Sequence, residues 1–429
     1  MNNKLLAQVS STAFDISKGV YMAGYADRKE RSLGTHDNLH TKALTISNGD
    51  KTAIFITNDL LGVDKDIVEK VVSGIRNSIN IPEKNIFICA THTHSGPDII
   101  LWDVGKQKSQ DNLNKKVKEE VINRVIENAV NSTKNLESVK IKFGKSKSSE
   151  VASNRIDKEL PLDDSMDIIY IEKENLIPLA IVVNYACHPT ILGADNLYIS
   201  ADYPGVLQRL IEEHYNNKTQ AMFINGACGN QSTRFTRKSQ DFMEVERMGR
   251  ILFEKVLEGI LNLEEEKDFS VESVKEYFSF PKKALPTCEE AISQYNKAKK
   301  EKEKVLNNSK STQQEIRIAI TKYQGAVINL DLINTLDTLD FNLPIQVLKI
   351  GKIILVGLPI ELFNEYGQII KKKSKYKNTL IVGYTNGMLG YVYTPESYDK
   401  GDYEAWSSPF HKTTGDFIVE NVLDLIGKL

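Results

Sequence analysis

Four short apolar runs, rich in β-branched residues and each closing on a turn or a polar cluster, constrain the fold of this chain most. They are KTAIFITNDLLG (51–62), NIFICATHTHSGP (85–97), LIPLAIVVNYACHPT (176–190) and AMFINGACG (221–229), and they predict buried strands. Segments of 3.6 period at 64–79, 112–136 and 205–217 predict helices between them, and three more strands are expected near 341–349, 352–358 and 379–384, before a closing helix around 412–427. Strand and helix alternation of this kind predicts an α/β protein with a mixed-sheet core and flanking helices. In such a protein functional residues collect where strands end and loops begin.

One stretch departs from that pattern. Residues 287–337 are rich in Lys and Glu, poor in Pro and Gly, and broken by NNSKST near 307–312, which predicts a charged helical hairpin inserted within a single domain of residues 1–429. It reads either as a solvated insertion or as a lid or oligomer contact.

Composition removes several classes of partner. With 429 residues and 41% apolar content the chain can bury a large core unaided. Its 55 Lys plus Arg against 57 Asp plus Glu give a net charge of -2, so no basic surface for nucleic acid is expected. No apolar run reaches spanning length and the first nineteen residues lack the apolar centre of a secretory signal, so stable membrane insertion is not expected either. Four cysteines, Cys89, Cys187, Cys228 and Cys288, have no CxxC spacing and are expected to be buried thiols in a reducing, cytoplasmic setting. The sequence leaves the oligomeric state open.

Three clusters at strand ends carry chemistry. In Thr91-His92-Thr93-His94-Ser95-Gly96-Pro97, two histidines two apart on an extended segment point to one side and can face one cation, although a bare HxH also suits a hydrogen-bonded pair. In Asn184-Tyr185-Ala186-Cys187-His188-Pro189-Thr190, an apolar strand runs into a third histidine, and a catalytic zinc takes three protein ligands and keeps an open position. Alternation turns the adjacent Cys187 toward the core. The turn Asn225-Gly226-Ala227-Cys228-Gly229-Asn230-Gln231-Ser232-Thr233-Arg234 offers backbone N–H groups to an oxyanion, or is an ordinary glycine turn with Ser232 capping a helix.

Taken with MAGYADRKERSLGTHDNLHTKAL (22–44), Asn154-Arg155, Pro359-Ile360-Glu361 and GYVYTPESYDKGDYE, these motifs resemble, in order and rough spacing, the neutral ceramidase family of zinc amidases. The resemblance implies a zinc-dependent hydrolase that cleaves an N-acyl amide, a small and possibly lipid-like substrate, by a metal-activated water. It implies His92, His188, Glu361 and Tyr391 as zinc ligands, and His94, Arg155, Tyr403 and Ser232 as catalytic or substrate-binding residues. Glu361 and Tyr391 rest on the resemblance alone. Where the family has Ser-Pro-Asn this chain has Ser232-Thr233-Arg234, and the added charge predicts a more polar or anionic substrate than a bare lipid. Other readings are a metal-free hydrolase using Ser232 or Cys228, a TIM-barrel amidohydrolase whose histidine set His214 and His411 leave incomplete, and a non-catalytic binding protein on the same fold.

Overall fold

A computed structural model describes residues 4–100 and 108–429. The first sheet has nine strands. Eight are β1 (Leu5–Ala13), β2 (His40–Ser47), β3 (Thr52–Asn58), β4 (Ile86–Ala90), β5 (Glu137–Lys147), β6 (Ser165–Lys173), β7 (Pro178–Tyr185) and β8 (Gln220–Asn225), in the order β8-β7-β6-β5-β1-β2-β3-β4. The two-residue strand Glu264–Glu265 pairs with β5 off that path. The pairs β3–β4 and β7–β8 are parallel and the other pairings along the path are antiparallel. A second sheet, in the order β9 (Val271–Ser279), β10 (Asn342–Ile350), β11 (Ile353–Gly357), β12 (Asn378–Val382), has one parallel pair, β11–β12. Both sheets are open and mixed, which rules out the TIM barrel.

The residue alternation along each strand explains the layering. In β3, Ala53 and Phe55 face one core while Ile54 and Ile56 face another, and in β11 Ile353 and Leu355 part from Ile354 and Val356 in the same way. Ala53, Phe55, Met222, Ile224, Leu355 and Leu380 all share the core between the two sheets. Strands with apolar residues on both sides must be covered on both sides, which is why their runs read as continuous. Helices α1 (Lys65–Ser78), α2 (Asn112–Ser132), α3 (Asp202–His214) and α4 (Phe242–Ile260) cover the outer face of the first sheet. Helices α7 (Asn364–Lys373) and α8 (Thr414–Gly427) cover the outer face of the second. The molecule therefore has four layers, helices, sheet, sheet, helices.

Local chemistry sets the helix ends. Asp64 accepts from the Ile67 N–H to start α1, whose Ile67, Val68, Val71, Val72 and Ile75 are buried at helical spacing. The hairpin is present as α5 (Cys288–Leu306) and α6 (Gln313–Thr335), each opened by a capping box, Thr287 with Glu290 and Thr312 with Glu315. One expectation is corrected here. Cys89, Cys187 and Cys228 are buried, but Cys288 is exposed, because it begins α5 at the surface.

The parallel pairs position the site. Their carboxyl ends, followed by residues 91–94, 186–188, 226–232, 358–361 and 383–386, meet along one seam between the sheets. Asn184 ties the seam by donating from Nδ2 to the carbonyls of Ile224 at 3.1 Å and Ile381 at 3.0 Å, and the Gly383 N–H donates to the Asn225 carbonyl at 3.0 Å. Among the described residues no helix is long and apolar enough to cross a membrane.

Candidate metal centre

Three backbone carbonyls decide the chemistry of the three histidines. His92 Nδ1 lies 2.6 Å from the Leu61 carbonyl, His94 Nδ1 lies 3.0 Å from that of Gly24, and His188 Nδ1 lies 2.8 Å from that of Cys228. A carbonyl only accepts, so each Nδ1 carries the proton, and each neutral ring turns an Nε2 lone pair inward. The metal-capable ring nitrogens of the three lie within 4.8 Å of one another. His188 Nε2 is 3.0 Å from Glu361 Oε2, His92 Nε2 is 3.4 Å from the same oxygen, and His94 Nε2 is 3.2 Å from His92 Nε2.

Electron pairs this close repel unless positive charge lies between them. Protons are poorly suited to supply it. Burial first, and the Arg155 charge second, lower His188 to about 3, and burial followed by the His92 charge lowers His94 well below its usual value. Burial alone would raise Glu361, but its contacts with His188 and His92 outweigh that and hold the carboxyl well below the usual carboxylate range, so it is ionised. Two or three neutral imidazoles and one carboxylate, all buried, form a donor set that fits a divalent cation of the zinc type. The His92/His94/His188 group could hold a metal ion.

The backbone gives up comfort to build this cluster. His92 sits at φ 72°, a left-handed conformation that costs a non-glycine residue about 1–2 kcal/mol, and its N–H is held by the Leu60 carbonyl at 2.9 Å. Gly24, at φ +94°, has no room for a side chain: a Cβ there would lie 2.5 Å from the His94 ring. Gly229 is equally confined, since its Cβ would meet the Glu361 carbonyl oxygen at 2.6 Å.

Glu361 and Tyr391, selected from the sequence only by resemblance, are direct register partners in a two-residue parallel ladder, Glu361–Leu362 with Tyr391–Val392. The Tyr391 ring lies 6.4 Å from the His188 ring, the Tyr403 ring 6.1 Å from Tyr391, and the Arg155 guanidinium carbon 5.2 Å from the Tyr391 ring centre. Burial and the Glu361 charge push the Tyr391 hydroxyl well above its usual value, and burial pushes Tyr403 up to about 12. Ser232 is also close by, bridged through its backbone to His188, and its Oγ accepts the Arg234 N–H at 3.2 Å. Arg234 Nη1 in turn donates to the Arg155 carbonyl at 3.0 Å. All eight residues singled out from the sequence therefore gather at one seam.

Sequence reasoning missed two neighbours. Tyr384 stacks on His92 with ring centres 3.8 Å apart, and its hydroxyl shares a 3.0 Å hydrogen bond with Cys228 Sγ. Burial pushes the Cys228 thiol up to about 12, so it stays protonated and makes a poor nucleophile. Glu404, the second missed residue, accepts from Arg155 Nε at 2.6 Å. The signal for it was its place directly after Tyr403.

Comparison with known proteins matches the chain to one family. The chain belongs to the neutral/alkaline non-lysosomal ceramidases, whose N-terminal family model matches residues 15–242. Neutral ceramidase B of Dictyostelium discoideum is 20% identical over 530 residues, covering 98% of this chain and 73% of its own length. A neutral ceramidase of Oryza sativa subsp. japonica is 24% identical over 225 residues, covering 48% of this chain and 28% of its own length. The crystal structure of neutral ceramidase from Pseudomonas aeruginosa has the same fold, with a TM-score of 0.79 at 17% identity over 99% of this chain and 74% of that one. A second solved structure, a ceramidase complexed with C2, gives a TM-score of 0.78 at 16% identity, over 99% of this chain and 75% of that one.

Proposed function

We propose that the protein is a zinc-dependent amidase that hydrolyses the N-acyl amide bond of ceramide or a related, more polar N-acyl amide. The observation that carries this reading is the convergence of the inward Nε2 lone pairs on the Glu361 carboxylate, in a chain of the ceramidase family. His92, His188 and Glu361 share a common point and, with Tyr391 completing the shell, are the metal ligands in this reading. A cation held there would supply Lewis-acid polarisation of the amide carbonyl and activation of water near neutral pH.

The chain's own residues do the rest. His94 Nε2 lies 3.2 Å from His92 Nε2 and makes no contact with Glu361 among the described hydrogen bonds and ion pairs, so in this reading it moves a proton toward the leaving amine. Arg155 and Tyr403 present N–H and O–H donors to the developing oxyanion or to the headgroup, contacts typically worth about 3 kcal/mol each. Ser232 positions substrate beside the metal. Its bond to Arg234 N and the lack of a histidine partner among the described hydrogen bonds support positioning over nucleophilic attack. A cytoplasmic setting belongs to the same proposal, supported by four cysteines in no disulfide.

The test is direct. Elemental analysis of the purified protein is expected to find close to one zinc per chain, and a panel of N-acyl amides of varied acyl length and headgroup is expected to be cleaved, soluble short-chain members included, without detergent. Treatment with a chelator should abolish cleavage and added zinc should restore it. Cleavage that survives complete metal removal would favour a metal-free serine hydrolase.

A further inference from the structure

Arg155 and Glu404 lie 249 residues apart in sequence and meet as a buried ion pair, with side chains only 9% and 6% exposed. Arg155 leaves the short ladder that joins Ser153–Asn154 to Gln231–Ser232, and its N–H is tied to the Asn230 carbonyl at 2.8 Å. Glu404 stands in the first turn of the short helix Tyr403–Ser407. That helix is fastened from behind. Lys283 Nζ donates to the carbonyls of Ala405 at 2.9 Å and Trp406 at 2.8 Å, while Gly325 of α6 is packed so closely that a Cβ there would lie 3.2 Å from that of Trp406.

The geometry of the pair is one-sided. Glu404 takes Nε at 2.6 Å, the guanidinium carbon stands 5.2 Å from the centre of the Tyr391 ring, and Nη2 is buried without a hydrogen-bond partner among the described residues. A guanidinium is a rigid planar fork, so holding its Nε against Glu404 also restricts the directions of both terminal nitrogens. A buried donor left without an acceptor marks a place where an acceptor fits. The surroundings say which kind: the Tyr391 ring, 5.2 Å from the guanidinium carbon, is itself 6.4 Å from the His188 ring, so the guanidinium borders the candidate metal centre.

We propose that Glu404 is a positioning residue, which holds the Arg155 guanidinium so that Nη2 donates to the oxygen of the bound amide and of its carboxylate product. This rests on the amidase reading above. Glu404 touches neither substrate nor metal and acts only through Arg155. Binding energy from such a fixed donor is greatest when the oxygen carries charge, so the effect falls on turnover more than on substrate affinity.

The experiment uses the zinc-loaded protein and compares Glu404→Gln, which keeps the shape and one acceptor oxygen, with Glu404→Ala. The expected result is a fall in kcat of roughly tenfold for Glu404→Gln and about 100-fold for Glu404→Ala, with KM changed less than about threefold and zinc content unchanged. Chemical rescue separates positioning from mere support of the fold. Guanidinium ion is expected to restore activity to Arg155→Ala, where the Glu404 carboxylate can still seat it, and to restore none to the double variant Arg155→Ala/Glu404→Ala. Equal rescue of both, or full kcat in Glu404→Ala, overturns the proposal. Calorimetric titration with octanoate separates this failure from that of the amidase reading. If the parent cleaves no amide yet binds octanoate more tightly than Glu404→Ala, positioning stands and the amidase reading fails; equal binding removes the positioning role as well.

Discussion

The two sides of the site are built by different means. On the histidine side, His92, His94 and His188 follow the carboxyl ends of β4 and β7, and backbone carbonyls of Leu61, Gly24 and Cys228 fix each ring. On the tyrosine side, Tyr391 sits on a two-residue ladder, Arg155 directly follows another, Tyr403 and Glu404 open a five-residue helix, and ring contacts and one ion pair align them. Backbone partners belong to the fold and cannot be removed by changing a side chain. Side-chain partners can, so the histidine side should fail abruptly and the tyrosine side by degrees.

The largest expected effect tests that division at its stiff end. His188→Ala removes the ring that contacts both Glu361 and the Cys228 carbonyl, and should cost most of any bound metal and at least a thousandfold in kcat/KM, about 4 kcal/mol. A variant as zinc-rich as the parent would show that His188 is a core residue only.

Next comes a change that reaches the site through the backbone. Gly229→Ala puts a methyl group 2.6 Å from the Glu361 carbonyl oxygen and 3.0 Å from the Leu362 carbonyl, backbone atoms that have little room to yield. Destabilisation of about 2–4 kcal/mol is expected, with weakened zinc binding. An unchanged melting temperature would mean that the 229–232 turn is softer than its contacts imply.

The pH dependence of the zinc-free protein is the third test. His188 is lowered to about 3 in the fold, by burial before the Arg155 charge, against about 6.5 unfolded, so between those values the unfolded chain binds the extra proton. Stability should then rise with pH across that window and fall as acid is added, by a few kcal/mol, with His94 acting in the same direction. Melting temperatures of zinc-free His188→Gln and parent protein between pH 4 and 7 should converge toward the acid end. Parallel curves would assign the acid sensitivity elsewhere.

The smallest effect belongs to the adjustable margin. Ser232→Ala loses the Oγ contact to Arg234 N and should lower kcat by about tenfold, less than His92→Ala, with zinc content unchanged. An acyl adduct trapped on Ser232 would instead make it the nucleophile.

How far the sequence reached follows the same physical line. The strands β3, β4, β7, β8, β10, β11 and β12 were legible because both faces are buried, which leaves long β-branched runs. The runs overshot their strands because the apolar signal continues into the site loops: the run at 85–97 contains a strand that ends at Ala90. The strands β1, β2, β5, β6 and β9 were not marked: Ser, Thr and Lys interrupt β1, β5 and β9, much of whose surface is only half buried, while β2 and β6 are buried almost throughout but carry polar residues within and beside their apolar runs. Helix α4 went unmarked even though Asp241 caps it and Val245, Met248, Leu252 and Val256 are buried at helical spacing. At the site, strand ends pointed to the histidines. Glu361 and Tyr391 were invisible to local reasoning because only the ladder between two distant loops makes them neighbours.

That ladder also bears on how the chain is held together. His188 and Glu361 are 173 residues apart, one on each side of the seam between the sheets. A tie between two such points restricts the unfolded chain as a covalent staple does, and closing a loop of that length removes conformational freedom worth about 5 kcal/mol. A cation shared by these residues would therefore be a fastener as well as a reagent: its loss would loosen the grip of one sheet on the other before any substrate is present.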